Sequence, residues 1–338
     1  MPAVTRRGIL AGGLALGTVL ATAQLRAQPA PAAADVAGRV ERLDPALDAL
    51  IDVGATIETL NSGIVWCEGP AWVGGTDGML FYSDVKGNRM HRWSRRDGDS
   101  VWIDPSGYAR GIADGIVEPG TNGLFVGRGG LLVADSGNRC ISRIDLKTKQ
   151  RVVIADRFEG KRFNSPNDMC VSPRDGSIYF TDPAYGLKDN VKSPLREMDY
   201  TGIFRIAANN SVTLMGKFDI PNGIGISPDG RTVYHTDMKA GWLAHGIDDR
   251  GNFRDTRTFI ARDAIPGGDG LKIDSRGNMW TSSRDGIWIL DSSGKRLGVI
   301  RIDGICANCT FGADGYLYMA CNHQIARIKV KARKLQTA

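Results

Sequence analysis

The chain has 338 residues, 42% hydrophobic, 24% charged and 7% aromatic, a composition that excludes disordered, collagen-like and disulfide-scaffold classes. The formal charge is +6, but Arg6, Arg7 and Arg26 supply three of the positives, leaving about +3 for the rest of the chain. With no Lys/Arg cluster and no basic amphipathic helix, nucleic acid and acidic membrane surfaces are excluded as partners.

At the N-terminus, Thr5-Arg6-Arg7-Gly8-Ile9-Leu10 leads into an apolar Gly/Ala-rich run to about Ala23, and a Pro/Ala-rich stretch ends near Asp35. The apolar run, about 15 residues, is shorter than the ~20 a spanning helix needs and lies between paired arginines and small residues suited to cleavage. Residues 1–34 therefore read as a twin-arginine export signal with its linker, and residues 35–338 as one domain. The expected destination is the periplasm or the exterior, reached through the twin-arginine translocase and without a stable membrane anchor. That route carries folded proteins, so a metal can be loaded before export.

The first predicted element is a helix over Asp44–Ile51, with Asp44 as cap and Pro45 in the first turn. A strand over Thr56–Leu60 follows. From there a unit recurs: an apolar pair, turn residues, a Gly, then an alternating strand ending in Ser/Thr/Ala-Asp. The turn glycines are Gly78, Gly129, Gly176, Gly230, Gly277 and Gly315, spaced 51, 47, 54, 47 and 38 residues apart. A period of about 47 suits propeller blades and excludes ankyrin and tetratricopeptide units. The units are Val/Ile/Tyr/Trp-rich runs between Gly, Asp, Asn and Pro turns, with no long helical apolar spacing after residue 55. The predicted fold is all-β, a six-bladed β-propeller, with the strand over Thr56–Leu60 completing the last blade.

Seven to ten residues before each turn glycine stands a polar residue heading an apolar run: Glu68, Asn122, Asn167, Asn222, Asp269 and Asn308. Equivalent positions in a closed ring converge on its axis. Asn-Gly and Asp-Gly pairs also make turns, but six in register would leave oxygen-bearing side chains unsatisfied unless water or a cation fills the centre. Two carboxylates and four amides suit one hard divalent cation, Ca²⁺ before Mn²⁺ or Mg²⁺. Zn²⁺ is less favoured because no His or Cys joins the ring.

The ordered motifs WCEGPAW (Trp66–Trp72), RFNSPND (Arg162–Asp168), YFTDPAYGL (Tyr179–Leu187), IPNGIGISPDG (Ile220–Gly230), GDGLKID (Gly268–Asp274) and ANCTFG (Ala307–Gly312) span nearly the whole chain after the signal. They resemble the regucalcin/gluconolactonase family of calcium-type lactonases. The resemblance implies a single metal in the axial channel, held by Glu68, Asn222 and Asp269. At the third blade, family members with an Arg-x-Asn-Asp-Gly motif have one Asn where this chain has Asn164 and Asn167. The repeat offset favours Asn167 at the metal and leaves Arg162 and Asn164 to grip substrate oxygens, with Asn122 in the outer ligand layer or the substrate pocket. The implied substrate is a small-molecule sugar lactone such as gluconolactone. The metal would polarise its carbonyl and Asp269 would act as both ligand and general base.

Asp84, Asp135, Asp182 and Asp237 end a strand in four of the repeats and are expected to bond a neighbouring turn. Cys306 and Cys309 form a lone CxxC, expected as a packed pair or disulfide, and Cys67 and Cys309 would approach if blades one and six adjoin. His91 and His235 are expected to be structural, while His323 could reach a channel rim. Loops Pro105–Pro119 and Gly186–Thr201 are expected at the channel mouth. There is no GxSxG, HExxH, GxGxxG after a strand, or GxxxxGK[ST], so serine hydrolase, zinc protease and nucleotide readings lack their residues. The rivals are a hydrolase of the same fold acting on an organophosphate or non-sugar lactone, a non-catalytic binding propeller, and, with least support, a quinone-dependent sugar dehydrogenase.

Overall fold

The computed structural model describes residues 38–335; the export segment predicted over residues 1–34 lies outside them. Six antiparallel sheets follow one another along the chain. Blade 1 comprises Cys67–Val73, Met79–Asp84, Arg89–Ser94 and Gly98–Ile103; blade 2 comprises Leu124–Gly127, Gly130–Asp135, Cys140–Ile144 and Arg151–Ala155. Blade 3 is built from Met169–Val171, Ile178–Asp182, Gly202–Ile206 and Val212–Lys217, and blade 4 from Pro221–Ile226, Thr232–Asp237, Gly241–Ile247 and Phe253–Ala261. Leu271–Ile273, Met279–Ser283, Gly286–Leu290 and Arg296–Ile302 form blade 5, and Cys306–Phe311, Tyr316–Cys321 and Gln324–Lys329 form most of blade 6. The predicted six-bladed propeller is the observed fold.

The repeat maps onto the blade simply. The turn glycine joins the innermost strand to the second, as at Gly230, whose φ of 66° is open to Gly at no steric cost. The second strand is buried on both faces, as in Met79–Asp84 and Ile178–Asp182, which explains its near-continuous apolar run. Apolar side chains fill the wedges between blades; Phe163, Phe180 and Phe204 pack with centroids 5.0 to 5.5 Å apart.

Strand Ile57–Ser62 pairs with Gln324–Lys329 as the outermost strand of blade 6, so the N-terminal part of the domain closes the ring as predicted. An unpredicted strand, Gly38–Arg42, adds a fifth member to blade 5 by pairing with Arg296–Ile302. The predicted helix at Asp44–Ile51 is a 3₁₀ helix over Pro45–Ala49. Asp44 caps it, its Oδ1 accepting from Ala46 N at 2.9 Å, and Leu47 is buried against blade 5. A single tight turn is enough to bring Leu47 inward before the chain moves to the next blade.

Candidate metal centre and its cavity

The innermost strands bring Glu68, Asn122, Asn167, Asn222 and Asp269 to one cavity of about 230 Å³. Blade-to-blade bonding sets this convergence. A hydroxyl on the second strand donates to the backbone carbonyl of the next blade's ring residue, or in the last case of its neighbour: Ser83 Oγ to Asn122 O at 2.8 Å, Thr181 Oγ1 to Asn222 O at 2.6 Å, Thr236 Oγ1 to Asp269 O at 2.6 Å and Ser282 Oγ to Ala307 O at 2.7 Å. This hydroxyl is the Ser/Thr that precedes the last residue of the repeat's strand. The Asn-Gly pairs are also more than turns. A Cβ on Gly223 would lie 2.2 Å from the Asp269 carbonyl oxygen, so only glycine lets adjacent blades approach this closely.

Asn308, the sixth ring position, is buried beneath the cavity and does not line it. Its Nδ2 donates to Glu68 Oε2 at 3.3 Å and Asp168 Oδ2 at 3.2 Å, and its Oδ1 accepts from Lys272 Nζ at 3.0 Å. Lys272 Nζ also stands 3.4 Å from Asp168 Oδ2. Asp168 and Lys272 thus form a charged layer under the ring, in which an internal cation compensates a buried carboxylate.

The donor set fits a hard cation. Asn122 Oδ1 and Asn222 Oδ1 are buried acceptors without a hydrogen-bond partner among the described residues, and such orphaned oxygens call for a cation, water or ligand. Burial pushes the Glu68 carboxyl up to about 8, with Gly69 N–H at 2.9 Å opposing and Asp168 adding to the rise. Asp269 is raised too, first by burial and then by the charges of Glu68 and Asp168, while a hydrogen bond from the Asn222 side chain opposes. Two carboxyls held close and dry repel each other when ionised, and positive charge between them relieves that. Glu68, Asn167, Asn222 and Asp269 are the residues that could hold it.

Arg162 and Asn164, expected to touch substrate, are not brought to this cavity. Arg162 lies in a short ribbon, Arg157–Phe158 with Lys161–Arg162, and its Nη2 donates to Asn138 O at 2.6 Å. Asn164 is fully buried, its Nδ2 donating to Asp182 Oδ2 at 3.0 Å and Tyr200 O at 3.0 Å. Of the two asparagines in that motif, Asn167 faces the cavity.

The cavity wall also carries Glu118, Tyr185, Lys86, Trp66 and Arg284, none of which the repeat marks because they lie in loops or at strand ends. Lys86 Nζ stands 4.7 Å from the Trp66 ring centroid. The predicted mouth loops meet here: Ile116 bridges Leu187, and Val117 N donates to Gly186 O at 2.8 Å.

The strand-end aspartates bind turns as expected. Asp84 Oδ1 accepts from Trp66 N and Gly87 N, both at 3.0 Å; Asp182 accepts from Asn164 N at 2.8 Å and Ser165 N at 2.9 Å; Asp237 accepts from Ile220 N, Lys239 N and Ala240 N. Asp135 accepts from Asn138 N at 2.8 Å and pairs with Arg151. All six cysteines are free and buried. Cys306 faces Cys321 across blade 6, Sγ to Sγ 2.7 Å, whereas Cys309 Sγ points at Trp280 O, so the CxxC residues do not pair with each other. His91 Nδ1 lies 3.1 Å from Asp99 Oδ2, and His235 stacks on His245. His323 Nδ1 lies 2.9 Å from Ile64 O, tying blade 6 to the segment that leads into blade 1, and does not line the cavity.

The profile of the SMP-30/Gluconolactonase/LRE-like region matches residues 66–323. A gluconolactonase of Zymomonas mobilis is 37% identical over 313 residues, covering 87% of this chain and 86% of that protein. Pentonolactonase XacC of Haloferax volcanii is 27% identical, covering 68% of this chain and 72% of its own. Among solved structures, the gluconolactonase XC5397 of Xanthomonas campestris superposes with a TM-score of 0.78 at 30% identity, over 90% of this chain and 99% of that one. The calcium-binding protein regucalcin of Agrobacterium tumefaciens shares the fold with a TM-score of 0.62 at 18% identity, over 82% of this chain and 96% of that one. With its six blades, its axial carboxylate-amide ring and these likenesses, the chain belongs to the SMP-30/gluconolactonase/LRE-like family.

Proposed function

We propose that this protein hydrolyses a sugar lactone, gluconolactone-like, to its aldonic acid with the help of one divalent cation, Ca²⁺ by preference, held by Glu68, Asn167, Asn222 and Asp269. The observation that carries this reading is the convergence of two pKa-raised carboxyls and an unpartnered Asn222 Oδ1 on one cavity. A cation there would polarise the lactone carbonyl and stabilise the oxyanion as water adds. Asp269, which lines the cavity and would be ionised beside the cation, takes the proton from the attacking water. Glu68 would be ionised when the cation is held, and Gly69 N–H and Asn308 Nδ2 orient it. Asn122 lies where a substrate hydroxyl can donate to its free Oδ1. The mouth loops bring Glu118 and the adjoining Tyr185 to the cavity wall, and Trp66 adds an aromatic ring beside Lys86.

The test is acid release from a panel of sugar lactones by the purified protein after chelation and after adding back Ca²⁺, Mn²⁺, Mg²⁺ or Zn²⁺. Hydrolysis restored by metal supports the proposal and identifies the usable ions. No hydrolysis of any sugar lactone with metal bound refutes it and favours another ester substrate or a binding propeller.

The same reading includes export. Arg6 and Arg7 followed by a short apolar run support twin-arginine delivery to the periplasm. Replacing both with Lys should retain the protein in the cytoplasm, read by cell fractionation; unchanged export would refute the route.

A further inference from the structure

The cavity wall contains a carboxylate that the axial ring does not use. Glu118 Oε2 is buried and has no hydrogen-bond partner among the described residues, although it faces the same cavity as Glu68, Asn222 and Asp269. Its position is fixed. Glu118 N and Val117 N both donate to Gly186 O, at 3.4 and 2.8 Å, Gly186 N donates to Ser165 Oγ at 3.0 Å, and Gly120 N donates to Val85 O at 2.8 Å. The two mouth loops therefore hold each other and present Glu118 beside Tyr185. Burial pushes the Glu118 carboxyl up to about 7, with Lys86 pulling the other way, as expected for an acid built into a dry wall and left for a ligand.

A second orphan shares that wall, Asn122 Oδ1. The ionised Glu118 carboxylate and Asn122 Oδ1 both accept hydrogen bonds, and neither has a donor among the described residues. The carbonyl and ring oxygens of a lactone are also acceptors and cannot satisfy them; only hydroxyls on the substrate can. Closing a hydroxyl-free ring into the cavity would leave a desolvated carboxylate unpaired, and sites built around a substrate hydroxyl reject analogues lacking it by large factors.

We propose that Glu118 is a specificity-determining residue whose carboxylate accepts a hydrogen bond from a ring hydroxyl, with Asn122 Oδ1 accepting a second, so that the site selects polyhydroxylated lactones over unsubstituted ones. The inference rests on the lactonase reading and names its substrate class.

The experiment compares the wild type with Glu118→Gln and Glu118→Ala on glucono-δ-lactone and δ-valerolactone, which share the six-membered ring and differ in the ring hydroxyls and the C5 hydroxymethyl group. The expected result is that the wild type prefers the hydroxylated lactone by about a thousandfold or more in kcat/KM. In the variants that ratio should collapse by about thirtyfold or more, chiefly through a higher KM for glucono-δ-lactone. Proportional loss on both substrates would overturn the proposal in favour of a structural or chemical role, as would an unchanged ratio. Thermal melting of both variants separates misfolding from the specificity effect. If the wild type turns over neither lactone, the lactonase reading fails, and calorimetric titration with gluconate decides the inference separately. Gluconate binding by the wild type that is lost in Glu118→Gln supports it; equal binding, or none to the wild type, overturns it.

Discussion

Glu68 and Asp269 are held dry and near each other, and their protonation links metal binding to stability. In the cation-free protein, Glu68 keeps its proton up to about 8, whereas the unfolded chain releases it near the ordinary 4.5. Between those values the unfolded state binds fewer protons, so stability is highest below the window and falls as pH rises through it. A divalent cation reverses this, because it binds the ionised carboxyls and competes with protons. The chelated protein should therefore melt at lower temperature at about pH 8 than at about pH 5. Saturating Ca²⁺ should restore roughly 2 to 3 kcal/mol at the higher pH and much less at the lower one, read by thermal denaturation. Equal Ca²⁺ effects at both pH values would exclude these carboxyls as its ligands. Asp269→Asn should lower turnover by at least about a hundredfold with an unchanged circular dichroism spectrum, and full activity would remove Asp269 as base. Glu68→Gln should weaken Ca²⁺ binding by roughly tenfold or more, because a charged oxygen ligand is lost. Glu68, Asn122, Asn167, Asn222 and Asp269 were legible in the sequence because the repeat fixes their place on the innermost strands. Motif proximity misled for Arg162 and Asn164: they lie within five residues of Asn167, yet a ribbon and the Asp182 clamp direct their side chains elsewhere. Glu118 and Tyr185 follow no period, so only the folded loops reveal them.

At the scale of the blade, the recurring strand-end aspartate is a clamp: Asp84 and Asp237 join the second strand both to the chain entering the blade and to the following turn, Asp182 to the entering chain and Asp135 to the following turn. Asp84 is buried, and its Oδ1 accepts from Trp66 N, next to the cavity, and from Gly87 N. Asp84→Ala would leave both donors without this partner, at a cost of about 2 kcal/mol. In a chain of this size that is a fall of several degrees in melting temperature, measurable by scanning calorimetry; an unchanged melting temperature would show that water replaces the clamp fully. This role was readable from repetition alone, since a residue present in four blades serves the blade. The extra strand Gly38–Arg42 was not readable. GRVER has no long apolar alternation, with Val40 as its one apolar side chain, and its pairing depends on the free edge that Arg296–Ile302 offers. The 3₁₀ turn at Pro45–Ala49 differs from the predicted helix for a similar reason: cap and Pro mark a start, but packing of Leu47 against blade 5 sets its length.

At the scale of the whole molecule, a propeller must join its last blade to its first, and this chain does so with an N-terminal strand on a C-terminal blade. Ile57–Ser62 pairs along Gln324–Lys329, Glu58 binds Arg327 at 2.7 Å, and Ile57 is buried with Ile328. Without that strand, the edge of blade 6 would be a row of unpaired backbone groups beside buried isoleucines, a template for association. The two N-terminal strands therefore differ in importance. A chain beginning at Gly54 loses the Gly38–Arg42 strand and buried Leu47, Leu50 and Ile51, each side chain contributing about 1.5 to 3 kcal/mol, yet it retains closure. It should remain folded and cation-binding with a clearly lower melting temperature. A chain beginning at Ile64 loses closure itself, and the ring residues then sit in an opened circle, since Glu68 on blade 1 and Asn308 on blade 6 touch only when those blades adjoin. It should aggregate or unfold without a cooperative transition and bind no Ca²⁺. Size-exclusion chromatography, thermal melts and Ca²⁺ titration of the two truncated chains distinguish these outcomes. A cooperative, Ca²⁺-binding monomer from the shorter chain would show that the axial ring holds the propeller closed without the strand.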